Sequence, residues 1–567
     1  MATTRRKYKG KVYETVLLRR SYREGKKVRH ETLGNLSHLP AETIDLVRRS
    51  LAGQKLVSAE DSFRIERSLP FGNVRAVLGA IHKLGLEELI SSKKSRERDL
   101  VVALVAERIL HPSSKLGTVR LWGESVLGED LGVSGAHVNE VYGALDWLLE
   151  RQGRIEKKLA QRHMKEGALA LYDVSSSYYE GSTCPLARHG HCRDGRGDLP
   201  IIVYGVLADG EGRPVAMDVY PGNTGDPTTV PDQVTKLRDR FGLERVVLVG
   251  DRGMLTRPKI EALKEHPGLG WISALKSADI RRLRDDGRLP PTLFDETGLA
   301  EVTSPDFPGE RLVACFNPAL CEERGRKREA LLEATEKALA KVAAEVARRT
   351  RTPLPDEEIG FKVGKVLGRY KMGKHILWEV TGGRLAWKRD EASISKEREL
   401  DGVYIVRTSE SQGRLSAPDT VRAYKGLSQV ERVFRCMKGI DLKVRPIFLS
   451  TDPHVRAHFF LSLLAYYVEW QMRRDLAPLL FEDEELPSTR TTRDPVSPAR
   501  PSESAKAKKA SRRTEDGLEV HSFETLLAVL ATQCRNTCRM NAEGSPAFDR
   551  ITEATPLQQR AYQLLGL

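Results

Sequence analysis

The chain has 567 residues, of which 40% are hydrophobic and 30% are charged, a composition typical of a water-soluble protein with roughly three or four folding units. No run of about 18 apolar residues occurs and no apolar stretch follows the basic N-terminus, so we expect neither a membrane span nor a secretory signal. Lys and Arg number 92 against 78 Asp and Glu, and this excess favours a polyanionic partner such as nucleic acid, although it also serves solubility. Seven scattered cysteines predict reduced thiols and a cytoplasmic location.

Residues 1–60 are predicted to form a small basic β-unit. Val12 and Val16 lie in the even register that is typical of a strand, and the step Glu24-Gly25 suits a hairpin turn. Two interpretations stay open: the unit contacts nucleic acid, or it only packs on the rest of the chain.

Helical periodicity dominates residues 61–166. Val74, Val77 and Ile81 recur at a spacing of three to four residues, and apolar residues between 100 and 109 do the same. A glycine-containing turn at 131–135 separates two predicted helices. This arrangement is compatible with a helix-turn-helix reader of DNA, although most such helix pairs are ordinary bundle elements. We interpret the segment as a DNA-end-binding region.

Residues 167–277 alternate between strands and helices. Strands are predicted at 168–175, 201–207 and 215–219, and the last two flank a turn of hairpin composition. A helix–strand–helix–strand alternation follows between 231 and 275, which together with the hairpin predicts a mixed α/β sheet. An RNase H-like core has this element order. Cys184, His189, His191 and Cys192 fall in a loop of this segment, but their spacing favours a basic loop over a zinc site.

The remaining chain completes the predicted organisation. Residues 278–419 interrupt the core as an insertion domain, 420–480 supply its second part, 481–517 have the composition of a disordered linker, and 518–567 form a C-terminal helical segment. The predicted fold class is therefore α/β: an RNase H-like mixed-sheet core interrupted by an insertion domain, with a mainly helical N-terminal region and a small N-terminal β-unit.

Three carboxylates are candidates for a reactive site because of where they lie. Asp173 is within or at the end of the first predicted core strand, and Asp251 directly follows another apolar strand. A buried acid is unfavourable unless it is paired or binds a cation, although Asp between elements is also a common cap or turn residue. On a predicted helix, Tyr424, Glu431 and Lys438 fall within roughly 60° of one another, so one helical face presents an acid flanked by an aromatic ring and a cation.

These motifs resemble those of bacterial insertion-sequence DDE transposases, which carry a Tyr-x2-Arg-x3-Glu-x6-Lys signature. The stretch here reads Tyr424-Lys-Gly-Leu427-Ser-Gln-Val-Glu431-Arg-Val-Phe-Arg-Cys-Met-Lys438. Three other stretches share the resemblance: Leu199-Pro-Ile-Ile-Val-Tyr-Gly, Gly212-Arg-Pro-Val with Pro221-Gly-Asn-Thr, and Val249-Gly-Asp251-Arg-Gly-Met. The resemblance covers residues 167–475 well and the two ends more weakly.

The resemblance implies that three acids form one catalytic and metal-binding site. Asp173, Asp251 and Glu431 would hold two Mg²⁺ or Mn²⁺ ions, because two cations about 3.5–4 Å apart need carboxylates to offset their charge. It also implies contacts with DNA, which are assigned to a set of flanking side chains: Tyr424, Lys438, Arg252, Arg432, Arg435, Trp378 and Trp387. Leu427 departs from the signature arginine, so one phosphate contact is absent unless Arg435 replaces it.

The expected activity is a DNA transposase that cleaves the ends of an insertion sequence and joins them to target DNA. Trp378 and Trp387 are candidates for stacking on a flipped base, with core packing as the alternative for each. Two DNA ends must be held together, which favours a homodimer on DNA in the bacterial cytoplasm, associated with the nucleoid when bound. A metal-dependent nuclease that cuts without joining, and an inactive DNA-binding derivative, remain the alternatives.

Overall fold

The computed structural model describes the whole chain except residues 55–61, 291–292, 295–297, 490–491, 499 and 542–543. The boundary predicted at residue 60 lies outside the described residues. The chain divides into two compact units, one of Met1–Leu69 with Cys534–Thr552 and the other of Pro70–Gln533 with Glu553–Leu567. Within the part of the chain that is described, no helix has the length and apolar character needed to cross a membrane.

The strands follow one another along the chain. They are β1 Ala2–Tyr8, β2 Lys11–Glu24, β3 Lys27–Asn35, β4 Phe63–Pro70, β5 Ala168–Tyr178, β6 Ile201–Asp209, β7 Pro214–Pro221, β8 Val246–Gly250, β9 Leu269–Ala274, β10 Leu299–Val302, β11 Arg311–Phe316, β12 Ile376–Thr381, β13 Arg384–Arg389, β14 Val403–Thr408, β15 Cys534–Met540 and β16 Ala547–Ile551.

The α-helices alternate with these strands after an N-terminal helical run. They are α1 Ala41–Leu51, α2 Gly72–Lys83, α3 Leu86–Ile90, α4 Arg96–Leu110, α5 Lys115–Leu121, α6 Leu127–Asp130, α7 Val138–Leu149, α8 Gln152–His163, α9 Val230–Thr235, α10 Arg257–Lys264, α11 Ser277–Asp285, α12 Pro318–Arg348, α13 Asp356–Tyr370, α14 Glu391–Arg398, α15 Ala417–Lys425, α16 Leu427–Arg435, α17 Asp452–Asp475, α18 Leu486–Thr489, α19 Glu503–Ser511, α20 Phe523–Ala531 and α21 Pro556–Leu565.

The smaller unit contains two three-stranded sheets. One has the order β1-β2-β3 and is antiparallel throughout, and the other has the order β16-β15-β4. The hairpin predicted at Glu24-Gly25 is confirmed, since Glu24 pairs with Lys27 and Gly25 takes a φ of 65°, which glycine adopts without strain. The N-terminal β-unit is therefore present as the sequence predicts.

A single eight-stranded sheet forms the centre of the larger unit, in the order β10-β11-β14-β9-β8-β5-β6-β7. Strands β5, β6 and β7 are antiparallel neighbours, whereas β8 runs parallel to β5 and β9 runs parallel to β8. Three antiparallel strands followed by two parallel ones reproduce the order predicted from the sequence for the RNase H-like core. The predicted mixed α/β fold is confirmed.

Helix α17 lies between the helical region and the sheet, because it is apolar around nearly its whole circumference. It packs against α2, α4 and α7 on one side and against β7 on the other. Helix α7 buries Val141, Leu145 and Leu148, so the apolar face after the glycine turn is used within the bundle. This packing favours the ordinary bundle interpretation of the predicted helix pair.

The predicted insertion, residues 278–419, has two structural parts. Strands β10, β11 and β14 join the edge of the main sheet beside β9. Helices α12, α13 and α14 pack with the β12–β13 hairpin around a separate apolar core that includes Leu332, Ile359 and Ile376. Only this second part is a structure separate from the core, because β10, β11 and β14 continue the main sheet and satisfy the hydrogen bonds of its edge.

The segment 481–517 differs from the disordered linker that its composition predicts. It contains α19, and Val496 is buried. Backbone carbonyls of the segment accept hydrogen bonds from core side chains: Lys425 donates to Val496 at 2.8 Å, and Arg422 donates to Arg493 at 2.8 Å. Long cationic side chains thus anchor a segment that has few apolar residues of its own.

The C-terminal segment 518–567 is only partly helical. Helices α20 and α21 are present as predicted, and both pack on α2. Between them, β15 and β16 form an antiparallel hairpin, and β15 pairs with β4 in the smaller unit. This pairing joins residues more than 460 positions apart in sequence, and local periodicity carries no signal for a contact of that range.

Candidate active site

Two of the predicted acids lie at equivalent points of neighbouring parallel strands. The register between β5 and β8 ends with Tyr172 opposite Gly250, so Asp173 and Asp251 are each the next residue along. In-register residues of adjacent parallel strands point to the same face and are about 5 Å apart. The sheet therefore brings together two side chains that are 78 positions apart in sequence.

The third acid comes from helix α16, which packs on β5. Val430, Val433 and Phe434 are buried on the apolar face of this helix, whereas Glu431 is exposed on another face. Leu427, in the signature arginine position, is buried. The side chain at this position is therefore inside the folded chain and offers no cation to DNA.

The other two acids act on the ionisation of Asp173. Burial is the largest cause of the rise of the Asp173 pKa to about 7, and the carboxylates of Asp251 and Glu431 contribute to that rise. The Val174 amide, which donates to Asp173 Oδ1 at 2.7 Å, and the cation of Arg193 oppose that rise. Asp251 and Glu431 thus lie close enough to Asp173 to affect its ionisation.

The donor set fits a divalent metal ion. Carboxylate oxygens are the ligands that Mg²⁺ and Mn²⁺ prefer, and a buried acid beside two further acids is unfavourable without a cation. The three groups do not each have an oxygen within 4.8 Å of the others. The carboxyl groups of Asp173, Asp251 and Glu431 would supply oxygen ligands of the type that such an ion needs.

Among the described residues, one cluster has ligand atoms that all lie within 4.8 Å of one another: Cys436, Asp441 and Glu469. The guanidinium of Arg473 lies 2.6 Å from Glu469 and 2.8 Å from Asp441, so a protein cation already neutralises these acids. The cluster therefore reads as a buried ion-pair network. The Cys184–Cys192 loop forms no such group within the described chain.

Two residues of the predicted DNA-contact set lie beside the acids. Burial raises the pKa of the Tyr424 hydroxyl, and the adjacent Asp251 carboxylate raises it further, whereas Arg252 opposes this effect. Tyr424 and Arg252 are therefore neighbours of Asp251. Arg435 is exposed on the C-terminal turn of α16.

Arg432 forms an ion pair within the chain, and its contact with DNA stays a prediction. Its guanidinium forms an ion pair with Glu482 at 2.6 Å, and Glu482 also binds Arg473. The side chain thus faces the segment after α17 and away from the acids, because one residue along a helix turns the side chain by about 100°. We interpret Arg432 as a structural residue of this ion-pair network.

Lys438 contacts the loop between β5 and β6. Its ammonium pairs with Asp194 at 3.0 Å, and Arg445 pairs with the same carboxylate at 2.9 Å. Arg445 also lies over the ring of Tyr178, 4.9 Å from its centroid. The 179–200 loop therefore contacts the segment that follows α16.

Arg193, on this loop, is a candidate functional residue that the sequence alone does not identify. Its guanidinium donates to the Val174 carbonyl and pairs with Asp226, and its charge lowers the pKa of Asp173. The only signal in the sequence is a run of basic and histidine residues at 188–193, which is typical of many solvated loops.

The two candidate tryptophans are paired across the β12–β13 hairpin and lie within the insertion body. Trp387 packs against the insertion core, whereas Trp378 is 42% exposed and lies near Gly360 of α13. Trp387 therefore fits the core-packing alternative. Trp378 keeps an exposed ring face that a base can stack on.

Comparison with known proteins gives two family matches. A model described as "Transposase DDE domain" matches residues 204–468, and a model described as "IS1634 family transposase, N-terminal domain" matches residues 1–62. The longer match includes Asp251 and Glu431 and begins after Asp173. No curated protein sequence matches the chain.

One similar solved structure is a piggyBac transposase synaptic complex with hairpin DNA, determined by cryo-electron microscopy. It shares 10% sequence identity, the alignment covers 83% of this chain and 81% of that chain, and the TM-score is 0.33. A score of that size does not define a shared fold.

The longer family match spans most of the sheet and the helix that carries Glu431. Together with the N-terminal match at residues 1–62, it supports a bacterial insertion-sequence transposase of the DDE class, similar at its N-terminus to the IS1634 family. The DDE domain depends in general on divalent metal ions.

Proposed function

We propose that this transposase cleaves DNA at the ends of its insertion sequence and joins those ends to target DNA by two-metal-ion phosphoryl transfer. The observation that supports it is the parallel register of β5 with β8, which sets Asp173 level with Asp251 at the end of β8. Helix α16 packs on β5 and brings Glu431 within electrostatic reach of Asp173. Asp173, Asp251 and Glu431 are proposed as the metal ligands and catalytic residues.

The chain holds its carboxylates in place before any metal binds. The Val174 amide fixes Asp173, and the Gly253 amide donates to Asp251 Oδ2 at 3.3 Å. Backbone donors of this kind lower the rotational freedom of an acid and leave its other oxygen available. When bound, two divalent cations supply activation of an oxygen nucleophile and stabilisation of the departing 3′-oxygen.

The same site is suited to both cleavage and joining. Cleavage uses water and joining uses a 3′-hydroxyl, so only the nucleophile changes between the two steps. Tyr424, beside Asp251, and Lys438, held by Asp194, are proposed to contact the DNA backbone and orient the scissile phosphate.

The proposed partner is DNA, both at the element ends and at the target, with a homodimer on DNA because two ends must be held together. Mg²⁺ or Mn²⁺ is the proposed cofactor, two ions for each site. The helical region 61–166 remains the proposed DNA-end-binding region. We propose a cytoplasmic location, with nucleoid association when DNA is bound.

A strand-joining assay separates this function from its alternatives. The purified chain is incubated with Mg²⁺, a supercoiled target plasmid and the DNA that flanks its own open reading frame. We expect nicked ends and covalently joined products. Cut ends without joined products favour a metal-dependent nuclease, and the absence of both with Mg²⁺ and with Mn²⁺ favours an inactive DNA-binding derivative.

Arg193→Ala is expected to lower the cleavage rate about tenfold to a hundredfold, the range seen when a residue that supports metal ligands is removed. The substitution removes a cation beside Asp173 and releases the Val174 carbonyl. Initial rates at saturating DNA measure the effect. Arg196→Ala, on the same loop, is the matched control, because the Arg196 side chain is 51% exposed and pairs with Asp198. Equal losses in both variants contradict the role assigned to Arg193.

Trp378→Ala and Trp387→Ala are expected to fail in different ways. Trp387→Ala removes a partly buried ring that packs on the insertion core and lowers the thermal midpoint. The loss of stability is smaller than the about 3–5 kcal/mol that deletion of a fully buried aromatic ring costs. Trp378→Ala leaves the midpoint nearly unchanged and lowers the fluorescence increase of 2-aminopurine placed beside the cut. If Trp378→Ala leaves that fluorescence intact, Trp378 does not stack on a flipped base.

A further inference from the structure

The N-terminal sheet concentrates the positive charge of the chain. Residues 1–36 contain eleven Lys and Arg residues against three Glu residues, an excess of eight out of a net charge of fourteen for the whole chain. These residues form β1, β2 and β3, in which Val16 is the one fully buried side chain. A sheet of this composition has little apolar surface, so packing in a core does not explain why most of its side chains are present.

The strand register separates the charges onto two faces. Side chains directly opposite each other in antiparallel strands share a face, and successive residues alternate between faces. Arg6 pairs with Tyr13 and Tyr8 pairs with Lys11, so these four side chains share one face. Arg19 and Arg23 extend that face along β2, since they differ from Tyr13 by even numbers of residues. We call these six residues the acid-free face.

All three glutamates of this segment lie on the opposite face. Glu14 and Glu24 occupy even positions of β2, and Glu31 pairs with Arg20, which is also even. On that face, Arg5 pairs with Glu14 at 3.1 Å, so its positive charge is partly neutralised. Two hydrogen-bonded residues of the first face, Ser21 and His30, agree with this assignment, because their side chains meet at 2.9 Å.

The acid-free face is exposed, whereas the opposite face carries the buried Val16. Tyr8 is 60% exposed and Tyr13 is 53% exposed. Exposed tyrosines that lie among Lys and Arg side chains, on a face without acids, are typical of surfaces that contact polyanions. There the ring packs against sugar or base and the hydroxyl reaches a phosphate. Neither ring is explained by packing within the sheet.

The shape of the sheet fits duplex DNA. The first half of β2 pairs with β1 and the second half pairs with β3, so each half is a two-stranded ribbon. The major groove of B-DNA admits a two-stranded β-ribbon. From Lys11 to Arg23 the strand extends about 40 Å at roughly 3.3 Å per residue, a length that spans about one helical turn of DNA.

We infer that the acid-free face is a docking surface for duplex DNA, with Arg6, Lys11, Arg19 and Arg23 meeting backbone phosphates and Tyr8 and Tyr13 packing between them. The inference rests on the proposed function only in taking DNA as the partner. It adds a second DNA surface, in the smaller unit, to the helical region that the sequence analysis assigned to end binding.

Salt-dependent DNA binding tests the surface. The full chain carries Asp251→Asn in every protein, so that cleavage does not interfere, and fluorescence anisotropy with a 40-base-pair duplex is measured between about 50 and 200 mM KCl. The test variant is Lys11→Gln/Arg19→Gln/Arg23→Gln. The matched control, Lys7→Gln/Arg20→Gln/Lys27→Gln, removes the same charge from the opposite face.

We expect the test variant to reduce the slope of log K against log salt by about 0.9 for each lost phosphate contact, between two and three in all. The control should change the slope by less than about half a unit relative to the parent protein. Equal reductions in both variants, or none in the test variant with an unchanged circular dichroism spectrum, overturn the inference. Stronger binding to an RNA hairpin than to the duplex also overturns it. If the parent protein binds no DNA at all, both this inference and the proposed function fail. If the wild-type chain binds DNA without cleaving it, only the catalytic proposal is affected.

Discussion

Asp251→Asn should abolish DNA cleavage and strand joining, with a loss of at least about a thousandfold in rate, equivalent to about 4 kcal/mol of transition-state stabilisation. The substitution removes one of the three negative charges proposed to hold the metal ions and keeps the size of the side chain. An asparagine oxygen can still accept from the Gly253 amide, so the turn after β8 should survive. Nicking of radiolabelled element-end DNA with Mg²⁺ measures the loss.

The matched control is Asp239→Asn, an exposed acid after α9 that lies outside the site. It should retain wild-type rates and the wild-type thermal midpoint. Full nicking activity in Asp251→Asn would remove Asp251 from the metal site. Loss of activity in both variants would point to a general effect of charge on DNA binding.

Lys236→Met should lower the free energy of unfolding of the larger unit by about 3–5 kcal/mol, the usual effect of removing one partner of a buried ion pair. The Lys236 ammonium lies 3.0 Å from Glu156 of α8 and 2.9 Å from Asp218 of β7. The side chains of Lys236 and Glu156 are almost fully buried. The contact ties the helical region to the catalytic sheet, and its loss leaves an uncompensated buried carboxylate.

The pH dependence of this variant follows from the pKa of Glu156. Burial raises that pKa in the folded wild-type chain, and Lys236 opposes the rise. Without Lys236 the folded pKa rises further above its unfolded value, so the folded state binds a proton more tightly. The stability deficit relative to the wild type should therefore be smallest at acid pH, where Glu156 is protonated in both folded proteins. It should grow as pH rises above the pKa of Glu156 in the folded wild-type chain.

Urea unfolding followed by tryptophan fluorescence at two pH values checks both parts. The double variant Glu156→Gln/Lys236→Met should recover part of the loss, because it removes the orphaned charge. A double variant that is less stable than Lys236→Met at neutral pH would contradict the ion-pair account.

Much of the catalytic core was predictable because its signals are local. Apolar runs around Asp173 and before Asp251 predict two core strands, and the parallel register of β5 with β8 then places the two acids side by side. The spacing of Tyr424, Glu431 and Lys438 alone also predicts that Glu431 shares one helical face with them. The meeting of the three acids rested on a family resemblance, because gaps of 78 and 180 residues carry no distance information.

The features that the sequence does not predict have a common cause in long-range contacts. The position of Arg432 on α16 gives no sign of its ion pair with Glu482, which lies within reach of it only in the folded chain. The 481–517 segment is low in apolar residues, yet Lys425 and Arg422 anchor its carbonyls. Arg193 has no periodic signal, since loop residues take their function from what they contact.

The central claim is that Asp173, Asp251 and Glu431 share metal ions, and iron-directed cleavage of the polypeptide tests it most directly. Fe²⁺ replaces Mg²⁺ in the DNA-bound protein, and ascorbate with peroxide then generates hydroxyl radicals that cut the chain beside the bound metal. We predict fragments that end near residues 173, 251 and 431 together, all suppressed by excess Mg²⁺. Fragments near residues 436–441 and 469 without cuts at 173 and 251 would place the metal at the Cys436 cluster and contradict the account.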